Sequence, residues 1–226
     1  MDKEEVLSQF ILPERLERLD QVLESRTRSL TVVLDRVKNH HNISAVIRSA
    51  DAFGLAGIHL IGDSFNFSNG ISLGTERWME LKAHPSPSET IEHLKSEGFS
   101  LVVLQPEDFE VPENKSQPIP VSSLPFEDKL ALIFGNEKHG VDPLFVEAAD
   151  IYAFIPMCGF VESLNISVAC AITLYSSLLP KAAPVRRTAA LQENERKELR
   201  ETWLKRDVRN SDIILKEIEM RTKFEE

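Results

Sequence analysis

Residues 155–172 read IPMCGFVESLNISVACAI. A strand-like apolar start runs into a short loop and then into an apolar helix. Glu162, Ser163, Asn165 and Ser167 sit at that joint, at the mouth of an element otherwise made for burial. Polar groups at a buried site cost free energy unless they are paired, so ordinary packing does not call for them. In open parallel sheets, ligands lie beyond the carboxyl ends of the strands. A strand that delivers a polar loop and then a helix fits that arrangement.

Working outward, the same alternation recurs along the chain. IYAFIPM (151–157) predicts a strand, preceded by a helix over DPLFVEAAD (142–150) opened by Asp142-Pro143. KLALIFG (129–135), FSLVVLQ (99–105), GIHLIG (57–62) and TVVLDRV (31–37) predict further strands, rich in β-branched residues. Between them, NISAVIRSADAFG (42–54) predicts a helix with Asn42 as N-cap and Gly54 as its stop, and PSETIEHLKSEG (87–98) another. The apolar helix after the opening motif extends over 163–179. Residues 63–76 read as a Ser/Asn/Gly-rich loop and 106–125 as a Pro-rich connection. Strands alternating with helices imply an α/β fold, a mostly parallel sheet with helices on both faces. Upstream, Leu16, Leu19, Val22 and Leu23 give 14–25 a helical face behind Pro13. Beyond PKAAPVRRT (180–188) the composition shifts to a charged helical tail.

The 226 residues are 42% hydrophobic and 27% charged, as expected of a globular protein with one sizeable domain plus attachments. MDKEEVLSQF lacks the basic and apolar regions of a secretory signal, and no apolar run reaches membrane-spanning length. The only cysteines, Cys158 and Cys170, lie in apolar surroundings. They read as buried free thiols in a reducing, cytoplasmic compartment, with a bridge between them the less favoured alternative. The net charge of -10 is unevenly spread. Residues 51–180 hold 6 Lys+Arg against 18 Asp+Glu, whereas residues 1–50 hold 8 of each and residues 181–226 hold 12 against 10. The two ends therefore hold most of the cations; local patches and not net charge decide phosphate binding, and the bland reading is that salt-bridged helices cap both ends.

Three polar clusters fall at strand ends: HHNISAVIR (40–48), FGNEKHG (134–140) and the opening stretch. Each has a bland reading. Asn42 and Ser163 can simply cap helices, and Arg48 can pair with Asp51 on the outer helix face. Gly135 and Gly140 can form a tight strand-to-helix turn around Glu137. GNEKHG is no P-loop, because Lys138 is not followed by Ser or Thr. His40 and His41 lack the companion ligands of a metal pair.

In order and content the three clusters resemble the motifs of the SpoU-type 2'-O-ribose RNA methyltransferases of the SPOUT superfamily. The likeness is strongest to the TrmH branch, which acts on a D-loop guanosine of tRNA, and covers about residues 14–180. It implies a C-terminal deep trefoil knot and a homodimer with the site at the subunit interface. It implies S-adenosyl-L-methionine as cofactor and tRNA as partner, with no metal required and no membrane. By position, the resemblance makes Asn42, Arg48, Glu137, Ser163 and Asn165 catalytic, with Arg48 acting on the ribose hydroxyl. Leu104, Gly135, Ile155, Met157 and Leu164 become cofactor contacts, and Arg15, Arg18, Arg26 and His41 contacts to RNA. The implied organisation is an N-terminal helical extension over 1–29, the methyltransferase domain over 30–180 and a charged helical tail over 181–226. The branch's arginines at the end of the long helix are missing here, where only Lys181 precedes Arg186.

Two other classes fit less well. An RNA-binding module without catalysis would not need all five catalytic-position residues. A dinucleotide-binding enzyme would need a glycine-rich turn after the first strand, which the sequence lacks.

Overall fold

The computed structural model describes residues 3–62, 74–126, 129–177 and 191–225. Lys181 and Arg186 lie outside these residues, as does most of the predicted 63–76 loop. The chain divides into two compact units, Thr27–Ala189 and a second unit that joins Met1–Arg26 to Ala190–Glu226.

The larger unit is built on a sheet whose strands are β1 (Leu30–Asp35), β2 (Gly57–Ile61), β3 (Glu80–His84), β4 (Ser100–Leu104), β5 (Ile119–Pro120), β6 (Leu130–Phe134) and β7 (Ile151–Phe154). Their order is β3-β2-β1-β6-β4-β7-β5, and every described pairing is parallel. Side chains alternate faces along a strand, and this splits the core in two. Val32 and Leu34 of β1 join Val46 and Ile47 from one helix and Cys170 and Leu174 from another. Val33, one residue out of phase, joins Leu94, Phe145 and Tyr152 on the opposite face. Helices therefore cover both faces, as the apolar runs predict.

In chain order the helices of this unit are α3 (His40–Ala52), α4 (Pro87–Ser96), α5 (Pro143–Ala148) and α6 (Ile166–Ser176). The second unit holds α1 (Lys3–Ser8), α2 (Pro13–Glu24), α7 (Glu193–Asp207) and α8 (Ser211–Glu225). Its core gathers Leu7, Leu19, Leu23, Leu199, Trp203 and Leu204. The two chain ends, read from sequence as separate attachments, share this one helical unit. Arg200 binds Asp20 at 2.7 Å and Glu4 at 2.9 Å, tying α7 to both N-terminal helices.

Several local expectations change. Asn42 is not an N-cap: α3 starts earlier, and Asn39 caps it by accepting from the His41 N–H at 2.9 Å. Asn42 sits inside the helix and is 9% exposed. Asn165, not Ser163, caps α6, accepting from Ser167 N at 2.9 Å. β3 and the short β5 were not visible in the sequence. Cys170 is buried, but Cys158 is exposed. Gly54 does stop its helix, with φ of 75° where a side chain would be strained. Among the described residues no helix is long and apolar enough to cross a membrane.

Candidate active site

The three polar clusters meet at the carboxyl end of the sheet. α3 follows β1, the turn 135–141 follows β6 and the loop 155–165 follows β7. Side chains link them directly. Asn165 Nδ2 donates to Asn42 Oδ1 at 3.1 Å, and Asn42 Nδ2 donates in turn to Glu137 Oε1 in a short contact. Asn165 Oδ1 is also held by the Ser167 hydroxyl at 2.6 Å. Both ends of each amide are thereby fixed, so the Glu137 carboxylate has a set position while staying exposed.

The turn carrying Glu137 is closed by reciprocal backbone bonds between Asn136 and Gly140, of 3.1 and 3.0 Å. Asn136 Oδ1 accepts the Lys138 and His139 N–H groups within it. Gly135 cannot carry a side chain, because a Cβ there would lie 2.0 Å from the Gly140 carbonyl carbon. The far end of the turn is pinned by Asp35, a carboxylate wholly buried at the end of β1. It accepts from Asp142 N at 2.7 Å and from Arg36 Nε at 2.9 Å. Arg36 reaches on to Asp142 at 2.7 Å. The bond to Asp35 raises the Arg36 pKa, keeping the guanidinium charged beside a buried carboxylate. Sequence reading missed Asp35 and Arg36. A charged pair closing an apolar strand was the available signal.

A cavity of about 310 Å³ opens between the turn and the loop. Leu104, Gly135, Ile155, Met157 and Leu164 all line it, together with Glu137 and Ser163. Gln105, Asn136 and Glu162 add polar groups that no motif assigned. The walls are thus apolar side chains and turn backbone with a few polar groups, the usual make-up of a small-molecule site. Arg48 does not line it. It stands exposed on α3, about 9 Å further along the helix axis than Asn42. Among the described residues Arg48 makes no ion pair, and none with Asp51.

The other predicted RNA contacts separate into different environments. Arg18 and His41 are exposed. Arg15 is held in a two-pronged pair with Asp207, at 3.0 and 3.1 Å, and the Asp207 bond raises its pKa. Arg26 is 1% exposed, past the end of α2, with its guanidinium 5.3 Å from the Trp203 ring centre. It is not part of an exposed stripe with Arg15 and Arg18, and in this structure it packs the helical unit.

Comparison with known proteins agrees with this geometry. Residues 29–175 match the model of the SpoU rRNA Methylase family. The chain belongs to the SpoU methylase family. A SpoU relative, the tRNA (guanosine(18)-2'-O)-methyltransferase of Borreliella burgdorferi, is 35% identical over 92% of this chain and 93% of its own length. The enzyme of the same name from Aquifex aeolicus is 32% identical over 90% of this chain and 94% of its length. The crystal structure of the A. aeolicus TrmH/SpoU tRNA modifying enzyme superposes with a TM-score of 0.73 at 30% identity, covering 87% of this chain and 98% of that one. The SpoU match takes in all three linked clusters.

Proposed function

We propose that this SpoU methylase transfers a methyl group from S-adenosyl-L-methionine to the ribose 2'-hydroxyl of a tRNA nucleotide, the D-loop guanosine at position eighteen. The observation that carries this reading is the run Asn165–Asn42–Glu137, which joins three separate clusters and ends on a carboxylate that lines the cavity. The near-complete coverage of relatives named for that reaction supports the choice of nucleotide.

The cavity suits the cofactor in its chemistry: apolar Leu104, Ile155, Met157 and Leu164 for flat apolar surface, and the backbone of the Gly135–Gly140 turn for polar edges. The cofactor supplies an electrophilic methyl on a sulfonium, so no metal is needed to activate the donor. The protein's task is the weakly acidic hydroxyl, which must lose its proton as it attacks. Arg48, free of ion pairs among the described residues, holds the substrate phosphate and lowers the hydroxyl pKa. It acts as a hydrogen-bond donor and not as the base, since a guanidinium offers five N–H donors and no acceptor. Glu137, its carboxylate oriented by Asn42, takes the proton. Ser163 and Asn165 shape the loop that closes over the reacting groups.

A homodimer with the site at its interface belongs to the same proposal. α6 buries Ile166, Cys170 and Leu174 yet leaves Val168, Ile172 and Tyr175 46%, 37% and 58% exposed. A helix apolar all round belongs inside a core, and a second copy of this chain supplies the missing cover. Arg48 lies outside its own chain's cavity, which is consistent with a site completed by two chains. A deep trefoil knot at the C-terminal end of the larger unit is also proposed. The separation of β6 from β7 by β4 is compatible with it. A cytoplasmic setting accords with the unbridged cysteines.

The family's description as rRNA methylases gives the second reading. Incubation of the purified protein with labelled cofactor and a mixture of total tRNA and ribosomal RNA separates the two. Label in tRNA supports the proposal, and label confined to ribosomal RNA overturns it.

A further inference from the structure

Three histidines converge away from the cavity. His59 lies on β2, His84 ends the edge strand β3 and His93 lies on α4. His59 Nδ1 and His84 Nε2 are 2.8 Å apart, and the two rings stack with centres separated by 5.1 Å. The His93 ring centre is 5.5 Å from that of His59 and 5.3 Å from that of His84. One ring nitrogen from each histidine lies within 4.8 Å of the other two. We propose that His59, His84 and His93 bind one divalent first-row transition-metal ion, with zinc the expected occupant.

A hydrogen-bonded histidine pair accounts for His59 and His84, but not for the third ring. The His93 Nε2 is buried without a hydrogen-bond partner, and Glu97 Oε1, 3.3 Å away, is not placed to accept from it. A buried polar nitrogen left in this way costs free energy, and a metal site would account for the convergence. Zinc–imidazole bonds of about 2.0–2.1 Å put two nitrogens of a tetrahedral site roughly 3.4 Å apart. The observed spacings reach that value by ring movements of about an ångström. Three imidazoles with no carboxylate among them favour zinc, copper, nickel or cobalt over magnesium or calcium. Burial first, then His84, Lys82 and His93, lower the His59 pKa to about 3, so that ring is neutral. Lys82 itself is offset by Glu97 at 3.4 Å.

The location implies a structural role. β1 stands between β2 and the strands β6, β4 and β7 that supply the cavity. An ion held here ties edge strand β3 to its neighbour and to α4, and stabilises the fold by mass action. It takes no part in methyl transfer, so the metal-free chemistry above is unaffected.

The test uses the full chain, stripped with a chelator and titrated with Co²⁺ as a spectroscopic probe and with Zn²⁺ by calorimetry. The expected result is one equivalent per chain, with a visible absorption band of nitrogen-ligated cobalt that zinc displaces, and a Tm that rises with free zinc. His84→Gln and His93→Gln should each weaken binding by more than the ~10–100-fold typical of losing a supporting residue. Circular dichroism in chelator checks that both variants remain folded, and His40→Ala, at an exposed position, should bind as the wild type does. No cobalt uptake by the wild type overturns the site. So does undiminished uptake by both folded glutamine variants, which would put the ion on exposed His40, His41 or His139.

Discussion

Asn165 donates its side-chain N–H to Asn42 Oδ1 at 3.1 Å, across 123 residues of chain. Asn42 hands the interaction on to Glu137, so one amide is the joint of three motifs. The geometry makes Asn42 a positioning residue for the carboxylate. In Asn42→Ala the Asn165 amide loses its acceptor and Glu137 a donor, which should cost ~1–3 kcal/mol of stability. A double-mutant cycle with Asn165→Ala, read by chemical denaturation, should show a coupling of ~0.5–3 kcal/mol. Additive single effects would mean that the two amides do not cooperate in solution.

The role proposed for Arg48 predicts that its loss separates binding from chemistry. It neither lines the cavity nor forms an ion pair among the described residues, so Arg48→Ala should leave cofactor affinity unchanged by calorimetry. Single-turnover methyl transfer should fall by roughly 10²–10³-fold, the scale for loss of a charge-stabilising group. Arg48→Lys should rescue poorly, because an ammonium lacks the planar fork. A variant Arg48→Ala that keeps most of its rate contradicts the assignment.

The strands most legible in the sequence are those buried on both faces. VVL in β1, LVVL in β4 and LALIF in β6 are uninterrupted apolar runs, which a parallel sheet demands. β3 reads ELKAH and lies at the edge, half-exposed, so it carries no such run. β5 has two residues, too few for any periodicity. The start of α3 was misplaced because the apolar pattern begins at Ile43, whereas the cap is set by Asn39 three residues before Asn42. The placing of the three clusters at strand ends was legible in the sequence, but the bonds joining Asn42, Glu137 and Asn165 are long-range and leave no local trace. The burial of Arg26 was hidden for the same reason, since Trp203 is distant in sequence.

Arg18 and Arg26 should behave differently on substitution. Arg18 is exposed, and Arg18→Ala should flatten the salt dependence of tRNA binding by about 0.7–0.9 of a log–log unit. Arg26→Ala should instead lower stability, through loss of a buried stem and a cation–π contact worth about 2 kcal/mol or more when desolvated. Binding over a salt series beside thermal denaturation checks both. A flattened salt slope with unchanged Tm for Arg26→Ala would return that residue to the RNA surface.

The exposed face of α6 predicts self-association. Ile172→Glu places a charge in the stripe of Val168, Ile172 and Tyr175 and should shift sedimentation equilibrium from dimer to monomer, with activity lost in parallel. An active monomer at assay concentration contradicts a shared site.

The two thiols should differ sharply. Cys158 is exposed, while Cys170 is fully buried and its pKa is pushed up by burial. Only thiolates react readily. A disulfide reagent should titrate one thiol in the native protein and the second only in denaturant. Mass spectrometry should place the first adduct on Cys158, and prompt native labelling of Cys170 would show that the α6 core opens.

The most direct test of the central claim uses one tRNA transcript in two forms, with guanosine or 2'-deoxyguanosine at position eighteen, and labelled S-adenosyl-L-methionine without added metal. Transfer to the guanosine form, mapped to the ribose of that nucleotide, and none to the deoxy form is the predicted result. Equal transfer to both, or label on the base or elsewhere in the tRNA, would contradict it.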